Sequence, residues 1–121
     1  MIELVLPWPP TINHYWHRNK NGGLRVGEQG VWFRHAVANI VMDASLSAGL
    51  ASRVIVTIEA HAPDQRRRDL DNVQKALLDS LTHAGVWGDD DQVDDLRIYW
   101  ARDADGKKCI GGLVKVRVEA S

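Results

Sequence analysis

Asp69-Leu70-Asp71-Asn72-Val73-Gln74-Lys75-Ala76-Leu77-Leu78-Asp79-Ser80-Leu81 is the stretch on which the fold turns. Leu70, Val73, Leu77, Leu78 and Leu81 recur at i, i+3, i+7, i+8 and i+11, the apolar stripe of a helix that starts near Asp69 or Leu70. Gly85 supplies its stop. On the upstream side, Arg53-Val54-Ile55-Val56-Thr57-Ile58-Glu59-Ala60-His61 reads as a strand, with Val54, Val56 and Ile58 on one face. Pro63 ends that strand, and Arg66-Arg67-Arg68 follows in a turn. On the downstream side, Val93, Leu96, Ile98 and Trp100 mark another strand, although their spacing does not keep one phase.

Ile2 to Leu6 alternates as a strand and is closed by Pro7-Trp8-Pro9-Pro10. Thr11 to Gly30 shows no clean period and reads as a long loop. Glu28 to Leu46 reads as a helix whose buried face carries Val31, Trp32, His35, Val37, Ala38, Val41, Ala44 and Leu46, with His35 a core or boundary residue. Asp103-Ala104-Asp105-Gly106 makes a turn before a last strand, Leu113 to Val118. The order β-α-β-α-β-β predicts an α/β (α+β) fold: one domain spanning 1–121, with two helices packed on a mixed sheet of about four strands.

At 121 residues the chain is long enough to bury a core without staples. Its single cysteine, Cys109, cannot form an intrachain disulfide or half of a CxxC zinc site, which fits a reducing, cytoplasmic setting. No signal-peptide pattern opens the chain, and no apolar run is long enough to span a membrane. The net charge of −1 is not the footprint of a simple nucleic-acid binder. The distribution is more telling. Residues 1–68 hold eight Lys/Arg against five Asp/Glu, and five of the remaining acids crowd between Asp89 and Asp95. Cations for phosphates in one half and oxygen ligands for a divalent cation in the other would produce this imbalance. So would an uneven, solvated surface.

Asp69 and Asp71 are carboxylates two residues apart at a helix start. Held close, they repel unless a cation or a proton intervenes. Oxygen-only ligands beside phosphate suit Mg²⁺, with Mn²⁺ as a substitute. Capping of the helix accounts for one of them easily and for both less well. Lys75, four residues after Asp71, either forms a surface ion pair or stabilises negative charge at a phosphate. Asp89-Asp90-Asp91 is either a solvated turn or a cation site, and it reaches Asp69 and Asp71 only if the loop carries it there or another subunit contributes it. In the 11–30 segment, Trp16, Arg18 and Lys20 interleave rings with cations as a nucleic-acid contact needs; equally, Tyr15 and Trp16 would anchor that segment on the core.

These blocks together resemble one family. Leu6-Pro7-Trp8-Pro9-Pro10, Arg66-Arg67-Arg68-Asp69-Leu70-Asp71-Asn72-Val73-Gln74-Lys75-Ala76, Gly85-Val86-Trp87 and Asp89-Asp90-Asp91-Gln92-Val93 are similar to the RusA family of Holliday junction resolvases. The resemblance implies a homodimeric, Mg²⁺-dependent endonuclease of phage or prophage origin that cuts two strands of a four-way DNA junction symmetrically. It implies Asp69, Asp71 and Asp90 as metal-binding catalytic acids; the resemblance does not decide whether Asp89 or Asp91 replaces or supplements Asp90. Lys75 becomes the essential lysine, and Arg66, Arg67, Arg68 and Asn72 line the site or hold DNA. The competing expectations are a non-cleaving junction or single-strand DNA-binding module, and an interaction protein that uses its acidic turn. A nucleotide hydrolase ranks lower, because the chain has no glycine-rich phosphate loop.

Overall fold

A computed structural model describes residues 2–44 and 49–121. Its elements run β1 (Ile2–Pro7), α1 (Ile12–Tyr15), β2 (Trp16–Arg18), β3 (Leu24–Val26), α2 (Glu28–Asp43), β4 (Val54–His61), α3 (Leu70–Ala84), a 3₁₀ turn (Asp90–Gln92), β5 (Val93–Trp100) and β6 (Leu113–Ala120). One mixed sheet has the order β1-β6-β4-β5, antiparallel except for the β4–β5 pair. That parallel pair is joined through α3, which crosses over one face of the sheet. The expected α/β arrangement, two main helices on a four-stranded mixed sheet, is therefore present.

Alternation decides which face is covered. Leu4 and Leu6 of β1, Val54, Val56, Ile58 and Ala60 of β4, and Val114, Val116 and Val118 of β6 are buried. They pack against Phe33, Val37 and Val41 of α2 and Val73, Ala76, Leu77 and Leu81 of α3 in one apolar core. The opposite face carries Glu3, Val5, Thr57, Glu59, Lys115 and Arg117. The irregular phase of β5 has a local cause. A register shift separates the Val54–Val93 and Ile55–Asp95 pairs, so Leu96, Ile98 and Trp100 return to the core side after the slip.

Two expectations are corrected. The segment 11–30 is not all loop: it holds one helical turn and a two-stranded ribbon, β2 paired with β3. The cause is Tyr15, which is fully buried and draws the segment into the core. On α2 the buried positions are Gly30, Phe33, Val37 and Val41, whereas Val31, Trp32 and His35 are exposed. His35 is thus a surface residue. The helix has two apolar stripes, and the one containing Phe33 wins because Gly30 allows close approach. A Cβ at Gly30 would lie 2.5 Å from the Tyr15 carbonyl oxygen. Leu46, placed at the end of this helix by the sequence pattern, lies outside the described residues.

Candidate active site

α3 begins where the extended Asp69 gives way to helical Leu70. Asp69 occupies the N-cap position but makes no side-chain capping bond. Capping therefore does not account for its carboxylate. Asp71, in the first turn, Asn72 and Lys75 are all exposed. Neither the Asp69 nor the Asp71 carboxylate has a hydrogen-bond or ion-pair partner among the described residues. Two bare carboxylates at a helix start are complemented only by the helix dipole, and that leaves their oxygens available to a hard cation.

A cleft of about 500 Å³ opens beside Asp69, lined by Trp8, Pro9, Pro10, Thr11, Arg67, Arg68, Asp69, Asn72 and Val73. Its proline wall is rigid: Pro9 is buried, and Trp8 stacks on Trp100 with ring centroids 5.9 Å apart. The arginines play unequal roles. Arg68 is mostly covered and grips Asp64 with both nitrogens, at 2.6 and 3.1 Å. That pairing, aided by the Arg66 backbone N–H, holds the Asp64 carboxyl down at about 2. Arg66 is exposed and only 3.8 Å from Asp64. Arg67 is exposed with no ion pair among the described residues.

Lys75 faces a second groove, of about 470 Å³, with Ile12, Asn13, Trp16, His17, Arg18 and Leu24. The sequence did not reveal what holds this ribbon over α3. Tyr15 donates its hydroxyl to the Asp79 carboxylate and lies 3.1 Å from the Ser80 hydroxyl. Arg34 donates to Asp79 at 2.7 Å and to the Tyr15 oxygen at 3.0 Å. Burial, reinforced by Asp79, pushes the Tyr15 phenol above its usual range. Trp16 is half-buried, edge-on to Tyr15 at 5.1 Å, so it anchors the arm as well as lining the groove. Arg18 is exposed in the groove, and Lys20 projects from the Asn19–Gly23 turn at the ribbon tip.

The acidic cluster lies at the other end of α3. Asp90 accepts from the Thr82 hydroxyl, which also receives the Trp87 indole N–H at 2.7 Å. Thr82 follows Asp71 by eleven residues, roughly 16 Å along the helix axis. Within one chain, then, Asp90 does not meet Asp69 and Asp71, and among the described residues no three His, Cys, Asp or Glu side chains gather to hold a metal. The neighbours of Asp90 have other duties. Asp89 accepts from the Asp91 N–H at 2.9 Å. Gln92 completes a capping box, accepting from Gly88 N–H at 2.8 Å and Asp89 N–H at 3.1 Å. The same amide donates to the Leu50 and Ser52 carbonyls at 2.8 and 2.9 Å. Arg53 pairs with Asp94 and, more loosely at 3.8 Å, with Asp91. The Asp-x-x-Gln spacing was the legible signal for this capped turn.

A family model described as endodeoxyribonuclease RusA matches residues 7–119. Over 96 residues, covering 79% of either chain, the sequence is 50% identical to a crossover junction endodeoxyribonuclease RusA of Escherichia coli strain K12. It is 48% identical over the same span to proteins of that name from Shigella sonnei and from Enterobacteria phage 82.

Proposed function

The chain belongs to the RusA family of endodeoxyribonucleases, and from that premise we propose that it resolves Holliday junctions by paired, symmetric, Mg²⁺-dependent cleavage of two strands. The observation that carries the reading is the pair of unpartnered carboxylates at the start of α3: Asp69 lines the cleft, and Asp71 lies one helical turn before the cation Lys75. These carboxylates fit Mg²⁺: their donors are all oxygen, they are exposed, and no side chain of the same chain neutralises them among the described residues. When bound there, Mg²⁺ (or Mn²⁺ in its place) supplies Lewis acidity at the phosphoryl group and acidifies water.

The chain's own residues do the rest. Arg67, with Arg66, meets the DNA backbone at the mouth of the cleft, and Arg68 keeps that loop in shape through Asp64. Asn72 donates to phosphate from the cleft wall. Lys75 stabilises negative charge developing at the scissile phosphate. Trp16, Arg18 and Lys20 of the ribbon carry a flanking strand past Lys75.

Asp90 is the third acid in this proposal, as the family resemblance implies; its carboxylate takes only the neutral Thr82 hydroxyl, whereas Asp89 caps the turn and Asp91 faces Arg53. Its distance from Asp71 makes the site composite. Two copies in antiparallel array set the acidic turn of one against the helix start of the other, twice over. A homodimer of this kind matches the two-fold symmetry of a four-way junction. One copy alone is a junction-binding module without a complete acid set, and that is where the second reading keeps its support. No helix among the described residues is long and apolar enough to cross a membrane. The proposed setting is the cytoplasm of a bacterial host, with phage or prophage origin, in one domain spanning 1–121.

The test is incubation with a synthetic four-way junction and a linear duplex of the same sequence, with Mg²⁺ or with EDTA. Symmetric nicks in the junction alone, dependent on Mg²⁺ and accompanied by a dimer in sedimentation, support the proposal. Binding that survives EDTA with no nicked product under Mg²⁺ supports the module instead.

A further inference from the structure

Trp32 is 61% exposed on the first turns of α2, a costly position for so large an apolar ring. It does not stand alone. With Trp8, Pro9, Pro10, Glu28 and Gln29 it walls a slot of about 380 Å³. Three of those residues, Trp8, Pro9 and Pro10, also wall the cleft that holds Asp69 and Asn72. One rigid ridge, fixed by the Trp8–Trp100 stack, thus separates the acid cleft from an aromatic slot. The acid cleft and the aromatic slot therefore share one wall, which one DNA strand could follow.

We infer that the Trp32 slot takes an unstacked nucleobase from the crossover of the junction, stacked between the indole and the proline ridge. A branch point offers bases with weakened stacking, and an aromatic face accepts any of them. Glu28 and Gln29 at the rim supply hydrogen-bonding groups to the base edge. A second copy of the chain is the poorer occupant. On α2 the exposed apolar residues Val31 and Trp32 are separated from Met42 by exposed His35 and Asn39, so no continuous apolar face runs along the helix.

This inference rests on the junction-cutting reading, and its experiment separates the two. Wild-type protein, Trp32→Ala and Trp32→Phe are titrated in EDTA against a four-way junction with intact bases and one with abasic nucleotides at the crossover, and their sedimentation is compared. Expected are a 5- to 100-fold loss of affinity for the intact junction in Trp32→Ala, about the range of one base–aromatic stack, and a small loss in Trp32→Phe. On the abasic junction, wild type and Trp32→Ala bind equally. Equal losses on both junctions, no loss on either, or dissociation of a wild-type dimer by Trp32→Ala overturns the slot. If wild type cuts the intact junction under Mg²⁺ while Trp32→Ala binds as tightly as wild type, the slot falls and the nuclease reading stands. Wild type that never cuts removes the nuclease reading itself.

Discussion

The two ends of α3 carry acids under opposite conditions. At the amino end, the Asp69 and Asp71 carboxylates are exposed and without hydrogen-bond partners among the described residues. At the carboxyl end, Asp89 caps a turn, Asp90 takes the Thr82 hydroxyl, and Asp91 and Asp94 face Arg53. The denser cluster is therefore the more satisfied one. Charge density along the chain is a poor guide to reactivity here, and unmet coordination is a better one. Four of the five crowded aspartates are tied into the turn or the strand that follows it, while the two sparse ones keep their oxygens free.

The sharpest way to break this contrast is to neutralise one acid at each end. Asp71→Asn is expected to lower Mg²⁺-dependent junction cutting by at least about 10²-fold, the scale of losing one preorganised charge at a reacting group. Junction affinity measured in EDTA should hold or rise, because one fewer negative charge faces the phosphates. Asp94→Asn should change cutting little. If Asp71→Asn still cuts, Asp71 leaves the site and the contrast loses its functional meaning. Lys75→Ala comes next, with a loss of about 10²-fold in cleavage rate and a smaller loss in affinity. Equal losses in rate and affinity would reduce Lys75 to a binding residue.

Thr82→Val probes the satisfied end. It keeps the side chain's shape but strands the Trp87 indole N–H and frees Asp90 from its donor. The expected cost is about 1–3 kcal/mol of stability, read as a lower urea midpoint with an unchanged slope. Wild-type stability would make the Thr82 hydroxyl dispensable and the carboxyl end no better organised than the amino end. Because Asp90 is the proposed third acid, a fall in cutting rate beyond the loss of folded protein would tie this turn to the partner's site.

The helix stripe from Leu70 to Leu81 and the alternation of β1, β4 and β6 were legible because each is a local periodicity expressed by the chain itself. The face of α2 was not. Its second apolar stripe competes with the buried one, and the deciding feature is a glycine pressed against the Tyr15 backbone from another segment. The ribbon at 16–26 was hidden for the same reason, since it is held by Tyr15, Arg34 and Asp79, which are far apart in sequence. For the candidate site, spacing singled out Asp69, Asp71 and Lys75 and left open whether Asp90 joins them. The length of α3 and the bond from Thr82 place Asp90 at the other end of the helix within one chain.

The amino end contains its own smaller contrast, between the free Arg67 and the committed Arg68. Arg67→Ala should weaken binding to junction and duplex alike and reduce the slope of log affinity against log salt by about 1. Arg68 answers to pH instead, through Asp64. Asp64 is lowered from its ordinary 3.8 to about 2, with the Arg68 hydrogen bonds as the main cause. A depressed carboxylate stabilises the fold above its unfolded value and loses that contribution as pH falls through its folded one. The loop around residues 64–68 should therefore stay ordered from neutral pH down past 4 and loosen only as pH approaches 2. Amide exchange at Arg66, whose N–H Asp64 accepts at 2.8 Å, reports this directly. Protection lost already near pH 4 would mean that Arg68 does not hold Asp64 in solution. Both arginines would then be free to meet phosphate, and Arg68→Ala would match Arg67→Ala in its salt slope.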